Sequence, residues 1–429
     1  MKQVLSRADT GHNRNEFAIG WPALLFATVG AGVGFSSLGY ILGPLVVPLQ
    51  EEFGWGRGEI TQTSLWSSLG MAATLPLLGR LLDRYGVRRI AWISLPLFAA
   101  VLFALSQFDS TLLLFLTLYA LAGIIGVGTS AVTYSKAVVE RFHNHRGLAL
   151  GIMATGLGAA GLLLPPLMGT VIASYGWRGA YLVMSVLALA PLLILAVVRF
   201  SRPEEGSRGP APTSQSGTLP GLTRGEAVRN REFWTLIVAF FVLGWALLTM
   251  VPHFVPMLID NGIEPVQAAL LSSLIGVGTV IGRPVVGWLL DRFYATYVAV
   301  PLFLATAAGC LLLLLGGAEF APLTAVLIGI GFGAEIDLMS YLSSRYFGQR
   351  DFGALYSYVY SAFMIGSAFG PVVAGYLFDA QKSYNIPLVI AAAFLVFGSA
   401  VLLTLPRFDR VSEGGPALAP DSPTGKPGL

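Results

Sequence analysis

The sequence is poor in the groups that soluble proteins and enzymes depend on. Of its 429 residues only 11% are charged, and it holds four histidines and a single cysteine; soluble domains carry about a quarter charged residues. A lone cysteine, Cys310, excludes a disulfide within the chain. The histidines show no metal-ligand spacing, so no metal site is expected. No Gly-x-x-x-x-Gly-Lys-Ser/Thr phosphate loop occurs, which excludes direct ATP drive from this chain. No enzyme signature is found, and no cofactor is expected. Continuous apolar runs such as Leu311 to Leu315 contradict the alternating polarity of membrane barrel strands.

What fills the space is hydrocarbon: 55% of residues are hydrophobic and the mean hydropathy is +0.72. A membrane-crossing helix needs about 20 mostly apolar residues. Twelve such spans are expected, at 21–49, 59–80, 90–107, 111–138, 146–172, 178–199, 232–258, 266–290, 297–317, 320–344, 353–378 and 385–405. The fold class is therefore all-α integral membrane. The 51 glycines fit it, since small residues let membrane helices pack closely. The first twenty residues are polar and precede an apolar stretch too long for a signal peptide, so the first span is read as uncleaved.

Basic residues orient the chain. Of 26 Lys and Arg, only Arg57, Arg178 and Lys382 fall on one side and Arg283 within a span, so the opposite side, with both termini, is expected to be cytoplasmic. The formal charge of +3 thus reports topology, and no nucleic-acid partner is implied. The expected organisation is a cytoplasmic segment 1–20, a six-helix bundle 21–199, a cytoplasmic linker 200–231 rich in Pro, Gly, Ser and Arg, a second bundle 232–405, and a disordered cytoplasmic tail 406–429. The bundles repeat one another. Gly79, Asp83 and Arg84 close span 2, while Gly287, Asp291 and Arg292 close span 8, 208 residues later. Arg141-Phe142 ends span 4 as Arg345-Tyr346-Phe347 ends span 10. Parallel six-helix repeats are a transporter plan with the substrate site between the halves near the midplane.

The stretch Gly79-Arg-Leu-Leu-Asp83-Arg84-Tyr-Gly86-Val-Arg88-Arg89 resembles the conserved loop of the major facilitator superfamily at every position of its pattern. Physically, Gly79 is expected to let two helices approach, Asp83 to sit at the N-terminal end of a neighbouring helix, and the arginines to hold the cytoplasmic face. Gly79, Asp83, Arg84, Asp291 and Arg292 are accordingly candidates for conformational gating. Residues 44–66 and 146–181 resemble the monocarboxylate transporter family, and Gly331-Phe-Gly-Ala-Glu335 with Arg345-Tyr-Phe347 is similar to its bacterial members and to the oxalate/formate antiporters. The resemblance implies alternating access, a monocarboxylate such as lactate as cargo, a proton as coupling ion, and residence in the inner cell membrane, with the monomer as working unit. Anion exchange of the oxalate/formate type is the alternative, and a non-transporting sensor with the carrier fold is the reading from another class.

The resemblance also implies that Arg283 in span 8 binds the substrate carboxylate. A planar guanidinium matches a carboxylate in two parallel hydrogen bonds, and an arginine inside a span must face a water-filled cavity or a partner. The competing reading pairs it permanently with an acid of span 7 or 10. Animal members carry an Asp one turn earlier and a Lys in span 1, where this chain has Thr279 and Ser37. Proton-coupling candidates therefore come from this sequence: Asp260 and His253 at the far end of span 7, and Glu335 and Asp337 in span 10. The ordinary readings are a loop cap for Asp260, a packed ring for His253 and a structural bridge to Arg283 for Glu335. Tyr119, Ser130, Met339 and Phe363 complete the candidate pocket, each with core packing as its plain alternative. Lys136 reads as an anchor at the end of span 4, outside the site.

Residues 353–378 contain no Lys or Arg, whereas the oxalate antiporter carries a second cation in that span. One cavity cation balances one carboxylate. Dianions such as oxalate are therefore expected to be poor cargo, and Phe363→Lys should shift preference toward them in a labelled-uptake panel. Efficient oxalate exchange by the unaltered protein would refute the single-cation reading.

Overall fold

The computed structural model describes residues 5–109, 111–142, 145–197, 221–348 and 350–406, with side chains from Glu16 onward except Arg146 and Val197. Among them, nine uninterrupted apolar stretches are long enough to cross a membrane. Three of these, Arg57–Ser106, Gly147–Ala196 and Ala295–Phe347, run 50, 50 and 53 residues, more than twice one crossing. Each turns back at a glycine with positive φ: Gly86 (76°), Gly176 (70°) and Gly317 (71°). The nine stretches thus make twelve crossings.

In chain order these are α1 (16–53), α2 and α3 (57–106, divided at Gly86), α4 (112–139), α5 and α6 (146–197, divided at Gly176), α7 (Arg231–Asp260), α8 (Pro265–Arg292), α9 (Ala295–Gly316), α10 (Ala321–Phe347), α11 (Phe352–Gln381) and α12 (Asn385–Leu403). Helices satisfy every backbone group internally, which the bilayer demands. Outward leucines such as Leu113 and Leu315, 76% and 84% exposed, suit contact with lipid.

The α1 and α4 crossings are broken along their length. In α1 the helix stops at Val33 and resumes at Ser37, and in α4 a short 3₁₀ turn, Val127–Thr129, leads to an extended Ser130. The breaks face each other, and Thr129 Oγ1 accepts a hydrogen bond from the Phe35 backbone N–H at 3.1 Å. Within the first half α2 packs on α4; within the second, α7 packs on α11 and α8 on α10. The halves meet along α2 with α11, α5 with α8, and α1 with α7. Their contact includes the start of α2 at Arg57 and the end of α11 at Asp379, whereas Asp83, Arg84, Asp291 and Arg292 at the opposite end are exposed.

Several expectations change. The polar segment before the first span is helical from Leu5, continuous with α1. The stretch read as a loop after span 2 is helical except for its turn at Gly86, because one glycine supplies the whole reversal. Residues 200–220 of the expected linker, with 198–199 of the expected first bundle, lie outside the described residues; the linker's last part is ordered, with the Leu222 N–H donating to the Phe347 carbonyl at 2.8 Å and a short capped helix at Arg224–Ala227. The tail from 407 onward also lies outside the described residues. Gly79 does not serve a close helix approach here: a Cβ built on it meets nothing within 4 Å, and neither does one on Gly287.

That contrast is testable in thermal melts of the purified protein. At φ 76° and ψ 161° Gly86 occupies a region that only glycine enters readily, at a cost of about 1–3 kcal/mol for other residues. Gly86→Ala should lower the melting temperature, whereas Gly79→Ala should leave it unchanged. Equal effects from the two would reject the assignment of the reversal to Gly86.

Candidate functional site

The α8 and α10 backbones come into contact because both crossings present glycine at their crossing point. A Cβ on Gly282 would lie 3.0 Å from the Ile330 Cα and carbonyl oxygen, and one on Gly333 would lie 2.8 Å from the Thr279 carbonyl oxygen. Thr279 Oγ1 donates to the carbonyls of Ile275 (2.8 Å) and Gly329 (3.2 Å), stitching the pair together. This crossing sets Arg283 beside Glu335.

Both side chains line a cavity of about 250 Å³. The first half contributes Tyr40, Ser64, Ser67 and Tyr119; the second adds Phe332, Tyr360 and Phe363. Three buried polar atoms here have no hydrogen-bond partner among the described residues: Arg283 Nε, Glu335 Oε2 and Tyr40 Oη. Such groups are costly unless something satisfies them. Arg283 acts electrostatically on Glu335, on Asp337 and on Tyr40, so the unpaired groups share one field. The alternative of a permanent ion pair between Arg283 and an acid is not realised in this conformation. Among the described residues lining the cavity, Arg283 is the only Lys or Arg.

Of the expected pocket residues, Arg283, Thr279, Tyr119 and Phe363 line the cavity together with Glu335. Two of them arrive with committed hydroxyls: Thr279 has donated its proton to backbone, and Tyr119 bonds Tyr181 at 2.8 Å, leaving mainly surface to offer a ligand. Ser130 and Met339 are corrections. Ser130 sits in the α4 break and Met339 is fully buried in the core of the second half, and neither lines the cavity. Asp337 is half-buried and also off the lining. Sequence reasoning missed Tyr40, whose signal was a polar-tipped aromatic close to the α1 break.

Asp260 and His253 belong to a different cluster, at the end where the halves touch. Arg57, 4% exposed, grips Asp260 through Nη1–Oδ2 at 2.6 Å and Nη2–Oδ1 at 2.7 Å. The same guanidinium donates to Tyr384 Oη at 2.9 Å and lies 3.8 Å over the Phe378 ring. Asp379 accepts from the backbone N–H groups of Arg57 and Gly58, both at 2.8 Å, at the positive end of α2. Asp260 is thus the partner of Arg57, and the competing reading that pairs an acid of span 7 with Arg283 is not realised. The available signal was Arg57 itself, one of three cations on the sparsely basic side.

At the opposite end Asp83 pairs with Lys136 of α4. This corrects one expectation, since Asp83 was expected to sit at the N-terminal end of a neighbouring helix; Lys136 is off the cavity lining. Arg84 lies 5.3 Å over the Tyr85 ring and Arg292 3.9 Å over Trp288, while Asp291 is exposed. No group of three or more His, Cys, Asp or Glu that could hold a metal occurs among the described residues.

The cavity is lined by both six-helix halves. The sequence profile of the Major Facilitator Superfamily matches residues 24–335 and 254–424. The chain belongs to the major facilitator superfamily. It is similar to monocarboxylate transporter 13 of Bos taurus, at 29% identity over 298 residues covering 68% of each chain. It is also similar to monocarboxylate transporter 11 of Homo sapiens, at 28% over 368 residues, 81% of this chain and 75% of that one. A probable sulfoacetate transporter, SauU of Cupriavidus necator, is 25% identical over 417 residues, 89% and 90% of the two chains. The solved structure of a bacterial homolog of the human lysosomal transporter Spinster, inward-facing and unoccupied, shares the fold with TM-score 0.66 and 16% identity, covering 90% of this chain and 98% of that one. The superfamily and these relatives are transporters, so this carrier is a multi-pass membrane protein that moves a small molecule and not an enzyme.

The Asp83–Lys136 pair is exposed and lies far from the cavity, at the opposite end of α2 from the Arg57 contact. Exposed pairs contribute at most about 1 kcal/mol. Asp83→Asn should therefore slow turnover while leaving equilibrium substrate affinity and thermal stability nearly unchanged. A large loss of binding in a calorimetric titration would contradict a gating role.

Proposed function

We propose that the carrier moves small monocarboxylates of the lactate and pyruvate kind together with a proton, by alternating access of the two halves to the Arg283 cavity. One observation carries the reading: the one guanidinium on the cavity lining, whose buried Nε has no partner among the described residues, stands with Glu335 Oε2 and Tyr40 Oη, which also have none among them. The guanidinium fork takes the cargo carboxylate. Tyr40, from the other half, supplies a second hydrogen bond, so bound cargo is held by both halves at once. Monocarboxylate transporters among the relatives support this cargo class, and the single cavity cation disfavours a dianion.

Glu335 is the proposed proton carrier. In the empty cavity its carboxylate balances Arg283. Once a cargo carboxylate occupies the arginine, a second negative charge alongside is unfavourable, and Glu335 takes up a proton. Anion and proton binding then reinforce one another, and uptake rises as the pH falls on the side from which cargo enters. Asp337, off the lining but in the same field, is the reserve candidate. The proposed setting is the inner cell membrane, with both termini cytoplasmic and the monomer as the working unit.

Proteoliposomes test each part. Arg283→Lys should lose roughly a hundredfold in kcat/KM while the protein still inserts, because an ammonium cannot reproduce the fork. Glu335→Gln should abolish accumulation of labelled lactate against an imposed pH gradient yet retain counterflow at equal pH, since exchange needs no net proton movement. A wild type that ignores the gradient but exchanges anions would replace symport with exchange of the oxalate/formate kind. A wild type that moves nothing would leave a sensor.

A further inference from the structure

The hydrogen bonds behind the Arg57–Asp260 pair run in one direction only. His253 is fully buried, and its Nε2 lies 2.8 Å from the Pro371 carbonyl oxygen. A carbonyl only accepts, so Nε2 carries the proton. In the neutral ring Nδ1 is then an acceptor, and the group facing it at 2.9 Å is the Tyr384 hydroxyl, which must donate. With its proton committed, Tyr384 Oη has lone pairs to offer, and Arg57 Nη1 donates to it at 2.9 Å. The chain Arg57 to Tyr384 to His253 to Pro371 is complete, and each donor in it meets an acceptor.

A second proton on His253 breaks that pattern. Nδ1–H would have to donate to Tyr384 Oη, which already receives the Arg57 N–H, and the hydroxyl proton would lose its acceptor. The imidazolium would also add a positive charge beside Arg57. The charged or titratable groups facing His253 are Arg57 from α2, Asp379 from α11 and Tyr384 at the start of α12, with Asp260 further along α7 itself. Asp379 is already engaged by two α2 backbone N–H groups and Asp260 by both arms of Arg57, so neither carboxylate stands uncommitted to balance the new charge. Every bond that Arg57 makes to Asp260, Asp379 and Tyr384 crosses between the halves, so loss of this cluster loosens their contact. Pro371, the last acceptor, also lines the Arg283 cavity and accepts from Thr61 Oγ1 of α2 at 3.1 Å.

We infer that His253 is a positioning residue for the closed end of the carrier: neutral, it orients the Tyr384 hydroxyl to hold Arg57 on Asp260, and its protonation releases the halves there. This rests on the alternating-access reading but not on the cargo or on Glu335, and it gives the proton a second action, on opening as well as on binding.

The test measures distance without cargo. Spin labels at Thr111→Cys and Gln267→Cys, one on each half near the Arg57 end, are placed in a Cys310→Ala background and read in lipid nanodiscs from about pH 8 to about pH 5. In wild type the ratio of long to short distances should rise roughly tenfold toward acid, an ordinary coupling magnitude. His253→Gln, which offers a neutral donor and acceptor in similar places, should hold the short distance throughout. Should that variant not insert, Tyr384→Phe reads the same link, since it deletes the hydroxyl over which the two donors compete, and the acid-dependent lengthening must vanish with it. A pH-blind wild type, or an acid response that survives either substitution, overturns the inference. A carrier that accumulates lactate against a pH gradient while its distances ignore pH would sink this inference alone and leave the transport reading standing.

Discussion

A guanidinium without a permanent partner, held inside an apolar helix bundle, constrains everything around it. At the centre of a crossing helix such a group costs about 2.5–3.5 kcal/mol even on permissive insertion scales, so Arg283 has to border a polar space. The glycines that let α8 press against α10 place Glu335 alongside, and the cavity exists because the facing surface belongs to the other half of the molecule. Neither bundle alone would enclose it. Two halves, a cavity lined by both and a guanidinium nitrogen with no partner among the described residues are one physical requirement expressed three times.

The molecule holds its two key arginines in opposite conditions. Around Arg283, donors and acceptors are left over; around Arg57 they are used up, with carboxylate, phenol and an aromatic face all engaged. Unspent hydrogen-bonding capacity in a dry interior is what gives a ligand something to gain by entering. Saturated capacity is what makes a contact between halves close firmly. A carrier needs both kinds of site, separated along the membrane normal, so that the event at one can alter the cost of rearranging the other.

The sequence disclosed the architecture well because the bilayer enforces it. Hydropathy, basic-residue asymmetry and the Gly79–Arg89 pattern together specify twelve crossings in two repeats, and the three hairpins that turn at single glycines differ from expectation only in lacking a loop. The cavity was half legible. Arg283 and Glu335 announce themselves as ionisable groups inside spans, and Thr279 lies one turn before Arg283 on the same face. Ser130 and Met339 were misplaced because small polar and thioether side chains suit a helix break or a core equally well. The partner of Asp260 was not legible because ion pairing across more than 200 residues leaves no local pattern, and Tyr40, Tyr384 and Asp379 gain their roles only from what the other half brings to them.

The paired breaks in α1 and α4 carry a mechanical consequence. A helix interrupted at its middle cannot transmit torque along its length, and the bond from Phe35 to Thr129 joins the two interruptions into one transverse axis through the first half. The segment of α1 that bears Tyr40 begins immediately beyond that axis. A tilt of that segment about the axis would move Tyr40 along the cavity wall that it already lines, much as a finger flexes at a knuckle. Occlusion of a bound molecule and reorientation of the halves would then be separable motions with separate barriers.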